Sequence, residues 1–532
     1  KEEALWVGTV NGLNRLSNTS ELLDSGQVEF EKFWYRQGSR NTINSNVISA
    51  IYQDRSGVLW VGSEGGGLNK LIPTSLNQKA LTRLSDPLWS GHRISAIFRE
   101  LDGRLWIGSE NSGLYTYNPE TRQSQHFDCR RLSCVSHVHL EITALTGNEQ
   151  NLWFATDGGG LIQYDRVSGT FAAVPLPGVA DLAITSLYLD GSHQLWIGTE
   201  QNLVLSLVTD SGEIRSYPLT PLEQANAEFG NEVQSLLLDS RQRLWIGTEE
   251  YGVLQLNPAN KRMRWFNKQT LDGLSSNAIN AIAEDQSGRV WLATDLGVNL
   301  ISPEREEVQK LYVENGLLSN TVTGVVVDEA GDVWVSTNRG INRIQSSSLV
   351  ISSFDHSDGL MSDFYGRQAI FKDEHGALYF GGNKGIDIIK PMAVTKNARK
   401  PNIALTKFNL FNVEQRPGQS KILTQPVYAT KQVRLNHNHS VFSLEFVALD
   451  QTAPDKNQYA FYLQGFDLGW QQVGAQRTAT YTNLPAGDYV FHVKGTNNDG
   501  VWSEPLRLGI HIAAAPWKST WAYSIYLLAL IS

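Results

Sequence analysis

Short runs of alternating apolar and polar residues recur along the first 390 residues, and turn-forming residues separate them. ISAIYQD at residues 48–54 alternates and is rich in β-branched and aromatic residues, as strands are. Asp54-Arg-Ser-Gly57 follows as a turn, with Asp at its start and Gly at its end. VLWVGS is the next strand, Gly65 to Gly67 form a hairpin turn, and LNKLI is a third strand. The pattern predicts antiparallel sheet without helical segments.

The strand with the consensus LWxGT recurs nine times, with an aromatic residue at the same place in each copy. Successive copies lie 43 to 54 residues apart, a period typical of propeller blades. Four strands per repeat predict a multi-bladed β-propeller, either one large ring or a seven-bladed ring plus two blades. We expect the aromatic residues to pack between blades: Trp6, Trp60, Trp106, Trp153, Trp196, Trp245, Trp291, Trp334 and Tyr379.

After Pro391 the repeat ends and strands of a different kind follow. SVFSLEFVALD at residues 440–450 and QYAFYLQGFDLGW at residues 458–470 predict an immunoglobulin-like β-sandwich. We therefore expect a propeller over residues 1–395 and a sandwich over residues 396–513.

The last residues read WAYSIYLLALI from Trp521 to Ile531, eleven residues without a charge. A membrane-spanning helix needs about 20 apolar residues, so we interpret residues 514–532 as the beginning of such a helix. The alternative is a terminal strand or helix of the sandwich.

Composition narrows the possible functions. The 532 residues include 45 basic and 54 acidic residues, a net charge of −9, which gives no reason to expect a nucleic-acid partner. The 11 histidines show no metal-ligand spacing, and the sequence predicts neither a metal nor a cofactor.

The repeats resemble the two-component regulator propeller family, whose core is D-x-x-G-x-L-W-x-G-T-x-x-G-L. The segments DGLSSN at 272–277, NGLLSN at 315–320 and DGLMSD at 358–363 match a loop of the same family. The segment after Pro391 resembles the triple-tyrosine (Y_Y_Y) domain, and Pro516-Trp-Lys-Ser-Thr-Trp-Ala-Tyr523 resembles the family's entry into the membrane. The residues that match the domain are Tyr459, Tyr462, Gly465, Asp467, Trp470, Tyr481, Leu484, Pro485, Gly487, Tyr489, Asn498, Gly500 and Trp502.

The resemblance implies a periplasmic sensor region of a one-pass inner-membrane protein, with a histidine kinase or diguanylate cyclase on the cytoplasmic side. It also implies an oligosaccharide ligand, and we expect signalling by a homodimer that meets through the sandwich. Because the periplasm is oxidising, we predict a disulfide between Cys129 and Cys134, the only two cysteines.

Two other functions remain open at this point. A propeller can be a protein-binding scaffold, since its fold does not fix its function. It can also be an enzyme, such as a quinoprotein or a glycosidase with two carboxylates across a cleft. Acidic residues do recur after the Trp strand, but their equivalent positions favour a turn role or a polar ring: Glu64, Glu110, Asp157, Glu200, Glu249 and Asp295.

The candidate ligand-binding residues interrupt the repeat consensus on loops that enter the blades. Their side chains are aromatic, imidazole or guanidinium groups, which suit the apolar faces and hydroxyls of sugars. They are Trp89, His92, Arg93, His137, His139, Phe229, Tyr251, Phe364, Tyr365 and Arg367.

Overall fold

The computed structural model consists of two compact units, residues 76–394 and residues 1–75 together with 395–532. It describes residues 4–16, 30–37, 42–72, 80–127, 141–176, 183–201, 203–219, 232–270, 273–302, 307–419, 422–518, 522 and 529–531. Both units are built from β-sheets whose strands pair antiparallel with one exception in the sandwich, which confirms the all-β prediction.

Two three-stranded sheets occupy the described part of residues 1–75. The first contains β1 (Leu5–Thr9), β2 (Gly12–Leu16) and β3 (Glu31–Phe33), and the second contains β4 (Ile48–Gln53), β5 (Leu59–Ser63) and β6 (Gly67–Leu71). Their strands pair in the order of the chain, as the inner strands of a blade do.

Residues 76–394 form a seven-bladed ring. Blades 1 to 3 are β8–β11 (Ile94–Arg99, Leu105–Ser109, Gly113–Asn118, Gln123–Phe127), β12–β15 (Ile142–Gly147, Asn151–Thr156, Gly160–Asp165, Thr170–Val174) and β16–β19 (Ile184–Leu189, Gln194–Thr199, Leu203–Val208, Ile214–Pro218). Blades 4 to 6 are β20–β23 (Val233–Leu238, Leu244–Thr248, Val253–Leu256, Met263–Phe266), β24–β27 (Ile279–Glu284, Val290–Thr294, Gly297–Ile301, Val308–Leu311) and β28–β31 (Val322–Val327, Val333–Thr337, Gly340–Ile344, Ile351–Phe354).

Blade 7 closes the ring with strands from both ends of the unit. Its inner strands are β32 (Tyr365–Lys372), β33 (Leu378–Gly382) and β34 (Gly385–Ile389), and its outer strand is β7 (Leu81–Leu84). Leu81 pairs with Ile389 across this seam, and β32 packs beside β8 of blade 1. Of the two predicted arrangements, the structure therefore has the seven-bladed ring with two further sheets.

The core of the ring lies between neighbouring blades. The six ring tryptophans of the LWxGT strand are buried, each at most 1% exposed, and Tyr379 takes their place in blade 7 at 6%. The indole N–H of Trp291 donates to Asp285, the first residue of the preceding turn, over 2.8 Å. The predicted packing role of these aromatic residues is therefore confirmed.

Residues 403–512 form two packed sheets. One has the order β36-β35-β38-β41 and the other the order β37-β43-β42-β39-β40. The strands are β35 (Ile403–Leu410), β36 (Val413–Glu414), β37 (Gln432–Leu435), β38 (Val441–Ala448), β39 (Tyr459–Gln464), β40 (Gln471–Gly474), β41 (Thr478–Thr482), β42 (Gly487–Gly495) and β43 (Leu506–Ile512). One hydrophobic core joins both sheets, as in a β-sandwich.

Three buried tyrosines of the sandwich each form a hydrogen bond through their hydroxyl group. Tyr481 donates to Asp467 over 2.8 Å and Tyr489 donates to the carbonyl of Pro485 over 3.0 Å. The hydroxyl of Tyr459 accepts the amide of Ala448 over 3.1 Å. A large apolar ring and one satisfied polar atom explain why tyrosine suits these positions.

Helical structure in the described residues is confined to short segments. The 3-10 turns are Val313–Asn315, His356–Asp358, Pro391–Ala393, Val427–Ala429, Pro454–Lys456 and Pro516–Lys518. No helix within these residues has the length and hydropathy of a membrane span. Most of the predicted membrane segment, namely 519–521, 523–528 and 532, lies outside the described residues.

Candidate ligand-binding face of the ring

Each blade brings two positions together at one face of the ring, which we call the mouth. The first position precedes the inner strand and the second follows the next strand. A backbone hydrogen bond of 3.1 or 3.2 Å joins the two positions in five blades. The pairs are Arg93 with Glu110, Glu141 with Asp157, Ala183 with Glu200, Glu232 with Glu249, and Phe364 with Asn383.

This geometry gathers carboxylates around the mouth. The acids that recur after the Trp strand stand at equivalent turns of blades 1 to 5, and Glu141 and Glu232 add two more from the neighbouring position. Asp295 accepts a hydrogen bond of 2.9 Å from Asn280. No cluster of three or more metal-ligating side chains occurs among the described residues, so we describe the arrangement as a polar ring.

Two of these carboxylates have a perturbed pKa. Burial, reinforced by Asp157 and Glu110, raises the pKa of Glu141, and Arg93 opposes this shift. Burial also raises the pKa of Glu232, with a further contribution from Glu249 and an opposing one from Arg367. The raised values show that the mouth concentrates negative charge in a partly desolvated place.

Arg93 and Phe364 form an aromatic and cationic platform beside these acids. The guanidinium of Arg93 lies 4.5 Å from the centroid of the Phe364 ring and 3.0 Å from a carboxylate oxygen of Glu110. Phe364 belongs to blade 7 and Arg93 to blade 1, so the platform spans the seam of the ring. It offers an apolar face, two or more N–H donors and a carboxylate acceptor within one small surface.

A bulge in β32 closes the centre of the ring. Tyr365 pairs with Gly382, but the next pair is Ile370 with Phe380, so residues 366–369 bulge out of the ladder. Gln368 has a φ of 57° in this bulge, and its side-chain amide donates to the carbonyls of Thr185 and Gln234. Those carbonyls belong to the inner strands of blades 3 and 4, on the opposite side of the ring. Gln368 therefore bridges the channel.

Several predicted residues lie at the mouth. Arg367 is half-exposed and its guanidinium is 4.0 Å from Asp295. His92 is exposed and makes a 2.8 Å hydrogen bond with the hydroxyl of Ser112. Tyr251 follows the acidic turn of blade 4 and is partly exposed.

Other predicted residues are placed elsewhere. Trp89 is fully buried and meets Tyr117 edge to face, with the ring centroids 5.8 Å apart. Tyr365 is also fully buried, with its hydroxyl 2.7 Å from Asp387. Both side chains contribute to packing in this structure. His137, His139, Phe229, Cys129 and Cys134 lie outside the described residues.

The sequence reasoning missed three residues of the mouth. Glu141 and Glu232 could have been found, because each directly precedes an inner strand, as Arg93 does. Gln368 carried a weaker signal, since YGRQAIF at 365–371 departs from the ISAIF pattern of the other inner strands.

The raised pKa of Glu232 predicts a pH-dependent stability. The folded ring binds this proton more tightly than the unfolded chain does, so its contribution to stability is lost as the pH rises through the raised pKa. We expect Glu232→Gln to raise the thermal midpoint at pH 7.5 and to change it little at pH 4. Glu149→Gln, at an exposed position, is the control. Equal effects of Glu232→Gln at both pH values would contradict this electrostatic interpretation.

Comparisons with known proteins agree with the repeats and the sandwich. The Two component regulator propeller family matches residues 42–65, 228–250, 273–295 and 316–339, and the Y_Y_Y domain matches residues 450–513. Histidine kinase P4 of Formosa agariphila is 27% identical over 96% of this chain and 34% of its own length. The chain thus spans about a third of that curated relative.

A solved structure has a similar organisation. The extracellular domain of a candidate hybrid two component system from B. thetaiotaomicron is 26% identical, with a TM-score of 0.69, over 96% of this chain and 67% of that one. Similarity to the extracellular domain of a two component system supports a sensing role. The chain therefore carries blades that match the Two component regulator propeller family, followed by a segment that matches the Y_Y_Y domain, and its organisation is similar to that of the extracellular domain of a two component system.

Proposed function

We propose that this chain is the periplasmic ligand-sensing region of a one-pass inner-membrane protein and that its ligand is an oligosaccharide. In this proposal the output domain is a cytoplasmic histidine kinase or diguanylate cyclase outside the present sequence. The observation that carries the proposal is the platform of Arg93 and Phe364 beside the carboxylates of the mouth.

The chemistry of the mouth suits a sugar. The apolar face of a pyranose packs on an aromatic ring, while its hydroxyls donate to carboxylates and accept from guanidinium groups. Phe364, Glu110 and Arg93 supply these three functions within one surface. Because Gln368 bridges the channel, the ligand would rest on the mouth and would not pass through the ring.

We place dimerisation at the sandwich. The turn between β39 and β40 exposes large apolar side chains: Phe466 at 53%, Leu468 fully and Trp470 at 39%. Exposed apolar side chains at the tip of a hairpin are typical of interaction surfaces. A contact there between two copies would set the distance between their two membrane helices. Ligand binding could then change that distance, a signal that one helix alone cannot carry.

The first two sheets support a proposal about residues 1–75. Ile48-Ser-Ala-Ile51 of β4 repeats the sequence of Ile94-Ser-Ala-Ile97 in β8, which is buried in the ring. In β4 the same residues are half-exposed or exposed. Because the same apolar residues are buried in β8, their exposure in β4 indicates that another surface packs against this strand. We propose that these sheets are blades of a second propeller.

A thermal-shift screen of oligosaccharides tests the proposed ligand, since a ligand that binds only the folded state raises its stability. We expect at least one oligosaccharide to raise the midpoint of the wild-type protein by several degrees and that of Arg93→Ala by much less. Arg215→Ala is the matched control, because Arg215 pairs with Glu213 on an exposed outer strand. A shift that survives in Arg93→Ala would contradict the site. No shift with any oligosaccharide would contradict the ligand class.

A further inference from the structure

A cavity lies on the face of the ring opposite to the mouth, at the seam where blade 7 meets its neighbours. It has a volume of about 640 Å³ and is lined by blades 7, 1 and 6. The turns that join the first two strands of blades 6 and 7 form part of its wall, and these turns are at the far end of the strands from the mouth. This cavity is therefore separate from the candidate site described above.

The cavity lies where blade 7 differs in sequence from blades 4 and 5. In blades 4 and 5, Arg243 and Arg289 stand two residues before the tryptophan, and each guanidinium lies 5.6 Å from the indole centroid. Ala377 occupies this position in blade 7, and Tyr379 replaces the tryptophan. At the equivalent place in blade 4, the cavity beside Arg243 and Trp245 has a volume of only about 10 Å³. The small residue Ala377 therefore leaves open a space that the arginine side chain occupies in blades 4 and 5.

Blade 6 covers its tryptophan with an arginine from the neighbouring strand. In blade 6, Arg343 lies opposite Trp334 on the neighbouring strand, with its guanidinium 5.5 Å from the indole centroid. Its counterpart in blade 7 is Ile388, which pairs with Tyr379. Tyr379 and Ile388 therefore give the cavity an apolar surface, and the guanidinium of Arg99 lies beside it, 3.8 Å from Asp373.

The rim of the cavity carries charges of both signs. Lys390 supplies an exposed ammonium group, and Glu120 and Glu329 supply exposed carboxylates. None of the three forms an ion pair with another described residue. Asp373, in contrast, is buried and already accepts from the amides of His375 and Ala377 and from the Tyr379 hydroxyl.

We propose that this cavity binds a small amphipathic zwitterion, such as a hydrophobic amino acid or a short peptide that carries one. The volume lies within the range of small-molecule sites, about 300–1,000 Å³. The apolar group of the ligand packs on Tyr379 and Ile388, its carboxylate meets Lys390, and its ammonium group meets Glu120 or Glu329. Leu84 comes from the start and Ile388 from the end of the chain segment that forms the ring. A ligand that contacts both therefore stabilises the closure of the seam.

Calorimetric titration with L-phenylalanine and with L-leucyl-L-phenylalanine tests the proposal. The whole chain is expected to bind at least one of them, and Ala377→Arg is expected to bind it at least tenfold more weakly. The substitution restores the residue of blades 4 and 5, where Arg289 reaches Asp285 over 2.7 Å, and Asp373 is the equivalent acid. N-acetyl-L-phenylalaninamide, which lacks both charges, is expected to bind at least tenfold more weakly than the zwitterions.

A second variant keeps the test decisive if Ala377→Arg does not fold. Ile388→Arg restores the arginine of blade 6 and fills the same space from the neighbouring strand. Absence of binding by both zwitterions to the wild-type chain at millimolar concentration would overturn the proposal. Equal affinities of the wild-type and a folded, filled variant would overturn it as well. Neither outcome bears on the mouth, whose test depends on Arg93.

Discussion

Replacing Asp285 with alanine is expected to lower the free energy of unfolding of the ring by about 3–5 kcal/mol, the range for breaking a buried charged network. Asp285 is 5% exposed. One carboxylate oxygen accepts from the Trp291 indole over 2.8 Å and from the Arg289 guanidinium over 2.7 Å. The other accepts from the amides of Ser287 and Arg289. Alanine would leave four donors unsatisfied, including a buried indole N–H and a cation.

Hydrogen exchange resolved by peptide is the suitable measurement, because the chain has two units and this method reports the local stability of blade 5 by itself. Exchange in residues 279–294 should accelerate strongly in Asp285→Ala. Asp102→Ala is the control, because Asp102 stands in the corresponding turn of blade 1 with a side chain that is 54% exposed. We expect a change within about 0.5 kcal/mol there. A loss below about 1 kcal/mol in Asp285→Ala would show that the network has little net effect.

The same network explains which part of the fold was visible in the sequence. The turn signal Asp-x-x-Gly and the following Trp predicted a strand pair and its packing, because both are local. The bond from the indole to the carboxylate was not predicted, although it recurs between Trp196 and Asp190 and between Trp334 and Asp328. Trp106 and Trp153 make no such bond in the described residues, since Glu100 and Asn148 replace the aspartate.

The number of blades in the ring could not be predicted because ring closure is not local. Leu81–Leu84 carries no motif, yet it pairs with β34, about 300 residues later in the chain. A strand of four residues resembles any other in sequence, so only the three-dimensional pairing distinguishes seven blades from nine.

Only some of the residues predicted for the candidate site lie at the mouth, for a related reason. Arg93, Phe364 and Arg367 interrupt the repeat and do lie at the mouth. Trp89 and Tyr365 interrupt it as well, but they are buried, because a break in a repeat can serve local packing as well as recognition. The bridge by Gln368 depends on a bulge whose backbone the sequence does not encode in any simple pattern.

Replacing Pro516 with a Gly-Ser stretch in the full-length protein is expected to abolish ligand-dependent output while ligand affinity stays unchanged. The strand before it, β43, is held on both sides, by β37 in parallel and by β42 in antiparallel pairing. Trp517 follows Pro516 and meets His437 edge to face, with the ring centroids 5.1 Å apart. The exit from the sandwich is therefore a stiff connection, and proline restricts it further by fixing φ.

A ligand changes the balance between two arrangements only through its different affinity for each. In the proposed function, a flexible link would remove the means by which the membrane helix reports that difference. For the proposed kinase or cyclase output, the measurement is ligand-dependent activity in membranes, beside the ligand affinity of the same preparation. A Gly-Ser stretch of equal length after Gly418 is the control, since Gly418 lies in an exposed turn with open space around it. We expect that control to signal normally, whereas His437→Ala, which removes the contact with Trp517, should weaken the output partially. If the flexible exit signals as well as the native one, the sandwich does not transmit the signal as a rigid body, and the proposed dimer would have to communicate through another contact.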